Sequence, residues 1–175
     1  MSTIRQATVE DAEEIATLVN NCYRGDSSRQ GWTTEAHLLD GTRTNPDEIR
    51  ELIQAPDSVL LILLDNSEII GSVHLQKEPP SSCYLGMLVV KPTLQGAGVG
   101  RQVMQAAENF ARDEWKADRM TMTVFAVRTE LLAFYERRGY RRTGERRPFV
   151  SWGTNGIPLV EGLEFEVLEK PLISS

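Results

Sequence analysis

The sequence predicts an α/β fold, and three observations carry that expectation. Apolar residues recur at helical spacing in two stretches: Ile15, Leu18, Val19 and Cys22 near the start, and Val99, Val103, Ala106, Ala107 and Phe110 past the middle. Between and after them lie short aliphatic runs of strand character at 59–64, 69–76, 83–90 and 120–127. No internal repeat, low-complexity run or linker interrupts the chain. With 175 residues, 41% of them hydrophobic, it is long enough for one substantial core, so 1–175 is expected to form a single domain.

Each element has a local reason. After a short apolar start at Ile4, Thr8 is placed to cap a first helix whose opening turn is acidic (Glu10, Asp11), which suits the helix dipole. The stretch 24–31 reads as a loop, and Trp32 to Leu39 as a short helix capped by Thr33 or Thr34. Asn45-Pro46, a cap followed by proline at the first helical position, opens a third helix to about Gln54. The amino-terminal third is therefore expected to be helical and loop-rich. The runs 59–64 and 69–76, joined by the polar turn Asp65-Asn66-Ser67-Glu68, read as an antiparallel hairpin. Pro79 and Pro80 keep the next loop out of the sheet before a strand at 83–90. A helix over 98–114, a strand over 120–127 and a helix over 129–138 ended by Gly139 follow. The tail returns to strand at about 163–168, with 146–159 mostly loop.

Composition narrows the function. A net charge of -6 disfavours nucleic acid as a partner, because phosphate binding draws on clustered Lys and Arg. No apolar run approaches the length needed to span a bilayer, and the first residues lack the pattern of a secretory signal, so a cytoplasmic protein is expected. Cys22 and Cys83 have no metal-ligand spacing and no neighbouring histidine, and read as buried thiols; no metal site is expected.

The chemistry concentrates in Leu88-Val89-Val90-Lys91-Pro92-Thr93-Leu94-Gln95-Gly96-Ala97-Gly98-Val99-Gly100-Arg101, where a strand runs into a glycine-rich turn that opens a long helix. Glycines let backbone N–H groups approach a phosphate, and a helix start adds about half a positive charge, so a pyrophosphate would be accommodated. The segment lacks the Gly-Lys-Ser/Thr ending of a P-loop, and Gly96, Gly98 and Gly100 do not have dinucleotide-fingerprint spacing. Nucleotide hydrolysis and hydride transfer both lose ground.

Gln95-x-x-Gly98-x-Gly100, preceded by Leu88-Val89-Val90-Lys91-Pro92, resembles the CoA-pyrophosphate motif of the GNAT N-acetyltransferase superfamily. Leu131-Leu132-Ala133-Phe134-Tyr135-Glu136-Arg137-Arg138-Gly139-Tyr140 resembles its second motif, at the family's distance; together the match spans about 59–145. The resemblance implies a mixed, mostly antiparallel sheet of six to seven strands flanked by helices. That sheet would splay between the strands at 83–90 and 120–127 to admit the pantetheine arm of acetyl-CoA. It further implies that backbone groups of Leu88, Val89 and Val90 pair with pantetheine, while amides from Gln95, Gly96, Ala97, Gly98, Val99, Gly100 and Arg101 hold the pyrophosphate. A backbone N–H near Leu88 would face the oxyanion, and Tyr135 would be the general acid for the departing thiolate.

Two departures stand out. Where the family commonly has asparagine seven residues before the tyrosine, this chain has Arg128, either a ligand of a CoA phosphate or a partner of Glu130. Where many relatives carry a glutamate before the phosphate loop, this strand reads Tyr84-Leu85-Gly86-Met87-Leu88, which leaves the general base to an ordered water chain or a relay through Tyr84 or His74. The function implied is transfer of an acetyl group from acetyl-CoA to a primary amine by direct attack; the alternative is an acyl-CoA-binding sensor without turnover. Candidate acceptor contacts are Tyr23, Arg24, Arg29, Trp32, Glu35, His37, Arg43, Phe149, Trp152, Glu161 and Glu164, the aromatics and carboxylates suiting an ammonium and the arginines a carboxylate. An edge strand near the carboxy terminus offers a second copy a place to pair, making a homodimer a candidate assembly.

Overall fold

The computed structural model describes residues 2–23, 39–40, 44–94, 98–149, 157–158 and 163–172. A strand β1 (Ser2–Gln6) precedes helix α1 (Ala12–Tyr23); a two-residue strand β2 (Leu39–Asp40) and helix α2 (Pro46–Gln54) follow. Strands β3 (Ser58–Asp65), β4 (Glu68–Glu78) and β5 (Ser82–Val90) form a meander. Helix α3 (Val99–Asp113), strand β6 (Arg119–Phe125) and helix α4 (Thr129–Glu136) come next. Strand β7 (Arg141–Pro148), the two-residue β8 (Ile157–Pro158) and β9 (Glu164–Pro171) complete the chain.

Seven strands form one sheet in the order β1-β3-β4-β5-β6-β9-β7, and β2 pairs with β8 in a separate ribbon. Only β5 and β6 run parallel; the other neighbours in the main sheet are antiparallel. The unbroken apolar run of β3 follows from burial on both faces. Leu60 and Ile62 pack with Ile15, Val19 and Ile49 of α1 and α2, while Leu61 and Leu63 join Val103 and Ala107 of α3.

Several boundaries follow from the signals in the sequence. The Asn45 side chain accepts a hydrogen bond from the Glu48 amide at 2.9 Å, with Pro46 opening α2. Thr8 precedes a single 3-10 turn leading into α1, and its amide donates to Asp11 at 2.8 Å. Arg5 grips the same carboxylate and, with that amide, holds it below its ordinary value. Gly139, at φ +96°, ends α4 in the left-handed region, and the Tyr140 amide bonds back to the Tyr135 carbonyl at 3.1 Å. The turn aims the Tyr140 ring at α3, where its hydroxyl donates to Glu108 at 2.9 Å; Lys170 of β9 reaches the same carboxylate at 2.8 Å. Glu108 is 7% exposed, so this three-way contact fastens α3, the end of α4 and β9 with the buried charge satisfied.

Three expectations require correction. The start of the chain is a sheet strand, β1, because Ser2 to Gln6 pair with Asp65 to Leu61 of β3. The loop expected from 146 begins later, since β7 runs to Pro148, its arginines facing a row of glutamates on β9: Arg142 meets Glu166 at 3.2 Å and Arg146 meets Glu164 at 3.8 Å. Cross-strand ion pairs hold together a segment that contains no apolar alternation. Leu39, expected to end a short helix, lies in β2; the remainder of that helix, 32–38, falls outside the described residues.

Candidate active site

The sheet opens where β5 and β6 part. Their register covers only Ser82 with Arg119, Cys83 with Met120 and Tyr84 with Thr121; beyond Tyr84 the strands are unpaired. Met87 contributes to the departure. Its φ of 47° lies in the left-handed region, and the β4–β5 register shifts between Ser72 and His74, a bulge that bends β5 away from the plane of its neighbours. The gap is a cleft of about 130 Å³, walled by β5 from Tyr84 to Leu88, β6 from Met122 to Phe125, and Arg128, Leu131, Tyr135 and Phe165.

Tyr135 reaches this cleft from α4. Its ring is 5% exposed and sits edge-on to Phe134 and Tyr140 at centroid distances of 5.3 and 6.1 Å. No described residue hydrogen-bonds to its hydroxyl, so packing fixes the ring and leaves the O–H to the cleft. Burial pushes its pKa above the ordinary value, with Tyr84 adding to the shift and Arg128 opposing it. The group therefore keeps its proton at neutral pH and acts as a donor.

Of the other residues singled out in the sequence, Leu88 and Arg128 line the cleft. Val89 and Val90 are buried on opposite faces of the sheet, Val89 toward α1 and α2 and Val90 toward α3. The Val90 carbonyl accepts the Cys22 thiol at 3.1 Å. Gly98 is the N-cap of α3, at φ +84°; Val99 and Gly100 are buried, and Arg101 is exposed on the first turn. Gln95, Gly96 and Ala97 lie outside the described residues.

The start of α3 differs from the other long helices. Helices α1 and α2 carry first-turn acids, Glu13 with Glu14 and Asp47 with Glu48, whereas α3 has none and no side-chain cap. Arg138 adds positive charge on the same side: it donates to the Phe134 carbonyl at 3.1 Å, lies 3.9 Å over the Phe134 ring, and has a buried Nε without a partner. Desolvation first, then repulsion from Arg101 and Arg137, lowers its pKa. Like charges gathered at a helix start without an acid form a seat for an anion.

Tyr84 and His74 part company. The Tyr84 hydroxyl meets Thr123 Oγ1 at 3.1 Å in the cleft wall. His74 is not among the cleft-lining residues: its Nε2 is 2.8 Å from Ser58 Oγ, which itself donates to the Leu52 carbonyl at 2.7 Å. With the Ser58 hydroxyl donating to Leu52, the imidazole presents Nε2–H to Ser58, which ties β4 to the end of α2. Thr123 and Phe165 escaped the sequence reading because they reach the cleft from strands distant in sequence. Only the strand period of 120–127 hinted that Thr123 faces away from the Met122 core. Of the candidate acceptor contacts, Phe149 packs with Phe125 and Phe165 at 5.8 and 6.1 Å, and Glu164 pairs with Arg146. Arg24, Arg29, Trp32, Glu35, His37, Arg43, Trp152 and Glu161 lie outside the described residues.

Both cysteines are fully buried, and burial pushes each thiol up to about 12. At neutral pH neither offers a thiolate. Changing Cys22 and Cys83 to serine together is expected to leave most activity intact in folded protein, checked by steady-state rates; a stable acetyl adduct on either sulfur during turnover would contradict this. Among the described residues no group of His, Cys, Asp and Glu is placed to hold a metal ion, and no helix is long and apolar enough to cross a membrane.

The sequence matches the profile of the Acetyltransferase (GNAT) family over residues 14–140, and the chain belongs to that family. Its fold is similar to that of an N-acetyltransferase from Staphylococcus aureus Mu50, with a TM-score of 0.75 and 16% identity over 99% of both chains. The ribosomal-protein-S18-alanine N-acetyltransferase from Escherichia coli has a TM-score of 0.71 and 15% identity, over 100% of this chain and 96% of that one. A spermidine N-acetyltransferase variant from Vibrio cholerae has a TM-score of 0.71 and 16% identity, over 98% of this chain and 94% of that one. No curated protein sequence matches the chain.

Proposed function

We propose that residues 1–175 work as one N-acetyltransferase domain that takes its acetyl group from acetyl-CoA and places it on a primary amine by direct attack. One observation carries the reading: a cleft where β5 and β6 part from each other beyond Tyr84, with the unpartnered Tyr135 hydroxyl in its wall. The residues present fit the donor. Unpaired edges of β5 and β6 suit an extended amide-bearing arm, and the acid-free start of α3 with Arg101 and Arg138 suits phosphates.

When bound, acetyl-CoA supplies a thioester open to a neutral amine: a C–N bond forms, the C–S bond breaks, the amine loses a proton and the thiolate gains one. Tyr135 holds that second proton at its hydroxyl. Arg128 adds positive charge beside it, which favours negative charge forming in the cleft. Among the described residues that line the cleft there is no carboxylate or imidazole, and the Tyr84–Thr123 hydroxyl pair, with water, offers the amine's proton a way out. That same feature is what favours a second reading, an acyl-CoA sensor without turnover. A cytoplasmic place of work goes with the proposal, because free thiols persist in a reducing compartment. The acceptors named for proteins of this fold range from a ribosomal protein's alanine to spermidine, so fold alone leaves the acceptor open. Dimerisation by edge pairing is opposed by β7, whose edge carries arginines and a left-handed Gly144 at φ +89°.

Titration calorimetry of the protein with acetyl-CoA, NADH and ATP tests the donor. Saturable heat with acetyl-CoA alone is expected; binding of NADH or ATP without acetyl-CoA would overturn the assignment.

A further inference from the structure

We propose that a polar hollow of about 390 Å³ on the sheet face opposite α3 is the acceptor site, and that it selects a small primary amine that also carries a carboxylate. The inference rests on the acetyl-transfer reading and assigns that reaction's second substrate.

Position is the first argument. The hollow and the cleft share Tyr84, Met122 and Thr123, and the Tyr84–Thr123 hydroxyl contact stands between them. A molecule lodged in the hollow therefore lies against the donor cleft, with a proton-accepting pair at the boundary.

Chemistry is the second. Register places Glu78 opposite Ser82 and Ser82 opposite Arg119, so the three lie in a row across β4, β5 and β6 on one face. Strands lie about 4.8 Å apart, and the row thus spans about 10 Å between the outer backbones. Ser82 is 5% exposed, lines the hollow, and has a buried Oγ with no partner. A hydroxyl buried without a partner costs stability unless something hydrogen-bonds to it.

The charges on either side of Ser82 are also uncompensated. Glu78 accepts the Thr121 hydroxyl at 2.9 Å and is in no ion pair among the described residues, and Arg119 likewise has no carboxylate partner. The hollow's other carboxylates are matched, Glu169 by Arg141 and Glu145 by Arg147. One free carboxylate, one buried hydroxyl and one free guanidinium in a row complement a zwitterion. Arg119 takes the carboxylate, Glu78 and Ser82 draw in the ammonium, and from that row the amine passes toward the cleft by way of Tyr84, two residues or about 6.6 Å from Ser82, and Thr123, four residues or about 13 Å from Arg119. A purely cationic amine would leave the Arg119 guanidinium without a counter-charge.

The test is thiol release from acetyl-CoA with the proteinogenic amino acids, the decarboxylated counterpart of each, and cadaverine, on wild type, Arg119→Ala and Arg119→Lys. At least one amino acid is expected to outperform its decarboxylated counterpart and cadaverine. Arg119→Ala should raise the KM for that amino acid about 10- to 100-fold, the scale of a charge-assisted hydrogen bond, and leave the KM for acetyl-CoA unchanged. Arg119→Lys should recover part of the loss. Equal or better use of carboxylate-free amines, or an Arg119→Ala variant indistinguishable from wild type, would overturn the proposal. Should acetyl-CoA bind without turnover of any amine, the acetyl-transfer reading fails separately. Amide NMR titration with the same amino acids then decides the hollow: shifts at Ser82, Arg119 and Thr121 that Arg119→Ala abolishes support it, and their absence in wild type overturns it.

Discussion

Gly98→Val is expected to weaken acetyl-CoA binding by about 100-fold or more while leaving the domain folded. The residue caps α3 at φ +84°, and a Cβ built there meets nothing within 4 Å. A side chain there therefore starts into open space among the described residues, and the cost it carries is the left-handed conformation itself, roughly 1–2 kcal/mol. The branched side chain would instead project into the space where backbone amides approach a phosphate. Hydrogen bonds to charged groups are worth about 1.5–3 kcal/mol each, so losing two of them yields at least the stated factor. Calorimetry with acetyl-CoA, alongside a thermal melt, separates the two effects. Wild-type affinity in the folded variant would remove the start of α3 from the donor site.

Tyr135→Phe is expected to lower kcat by about 10² to 10⁴, the usual contribution of a general acid. Acetyl-CoA affinity should change by no more than about tenfold, because one hydroxyl is lost from a site held mainly by backbone. The ring packs against Phe134 and Tyr140, and phenylalanine preserves those contacts. Burial raises the Tyr135 pKa above its ordinary value of 10.0, so the protonated form persists through mildly alkaline pH. The wild-type kcat should accordingly show no fall attributable to this group between about pH 7 and 9. Rates and affinities measured on wild type and variant decide the matter: an unchanged kcat in folded protein would exclude Tyr135 from the chemistry.

Much of this arrangement was legible in the residues because the signals were local. Asn45-Pro46 marked the start of α2, Gly139 the end of α4, and the glycines before Val99 the start of α3, each through a backbone requirement that the neighbouring sequence meets. β1 and β7 were illegible for a physical reason. Arg141 to Pro148 has no apolar alternation, and its strand exists through pairing with the glutamates of β9, a partner distant in sequence. β1 likewise takes its conformation from the backbone of β3 while its side chains stay exposed. In the cleft, Tyr135 and Leu88 followed from motif position, whereas Thr123 and Phe165 depend on how β6 and β9 are set beside β5. His74 illustrates the converse: a histidine in a strand suggests a relay, and its neighbours Ser58 and Leu52 make it a tie between sheet and helix.

The most direct test of the account is the mass of an acceptor after incubation with the protein and acetyl-CoA. Candidate amines would be supplied singly, with free thiol followed in the same samples. The account predicts one acetyl group added to an amine nitrogen, one thiol released per product, and no acetylated protein on the way. Tight acetyl-CoA binding with no modified amine and no thiol release across the panel would contradict it and leave the sensor reading in its place.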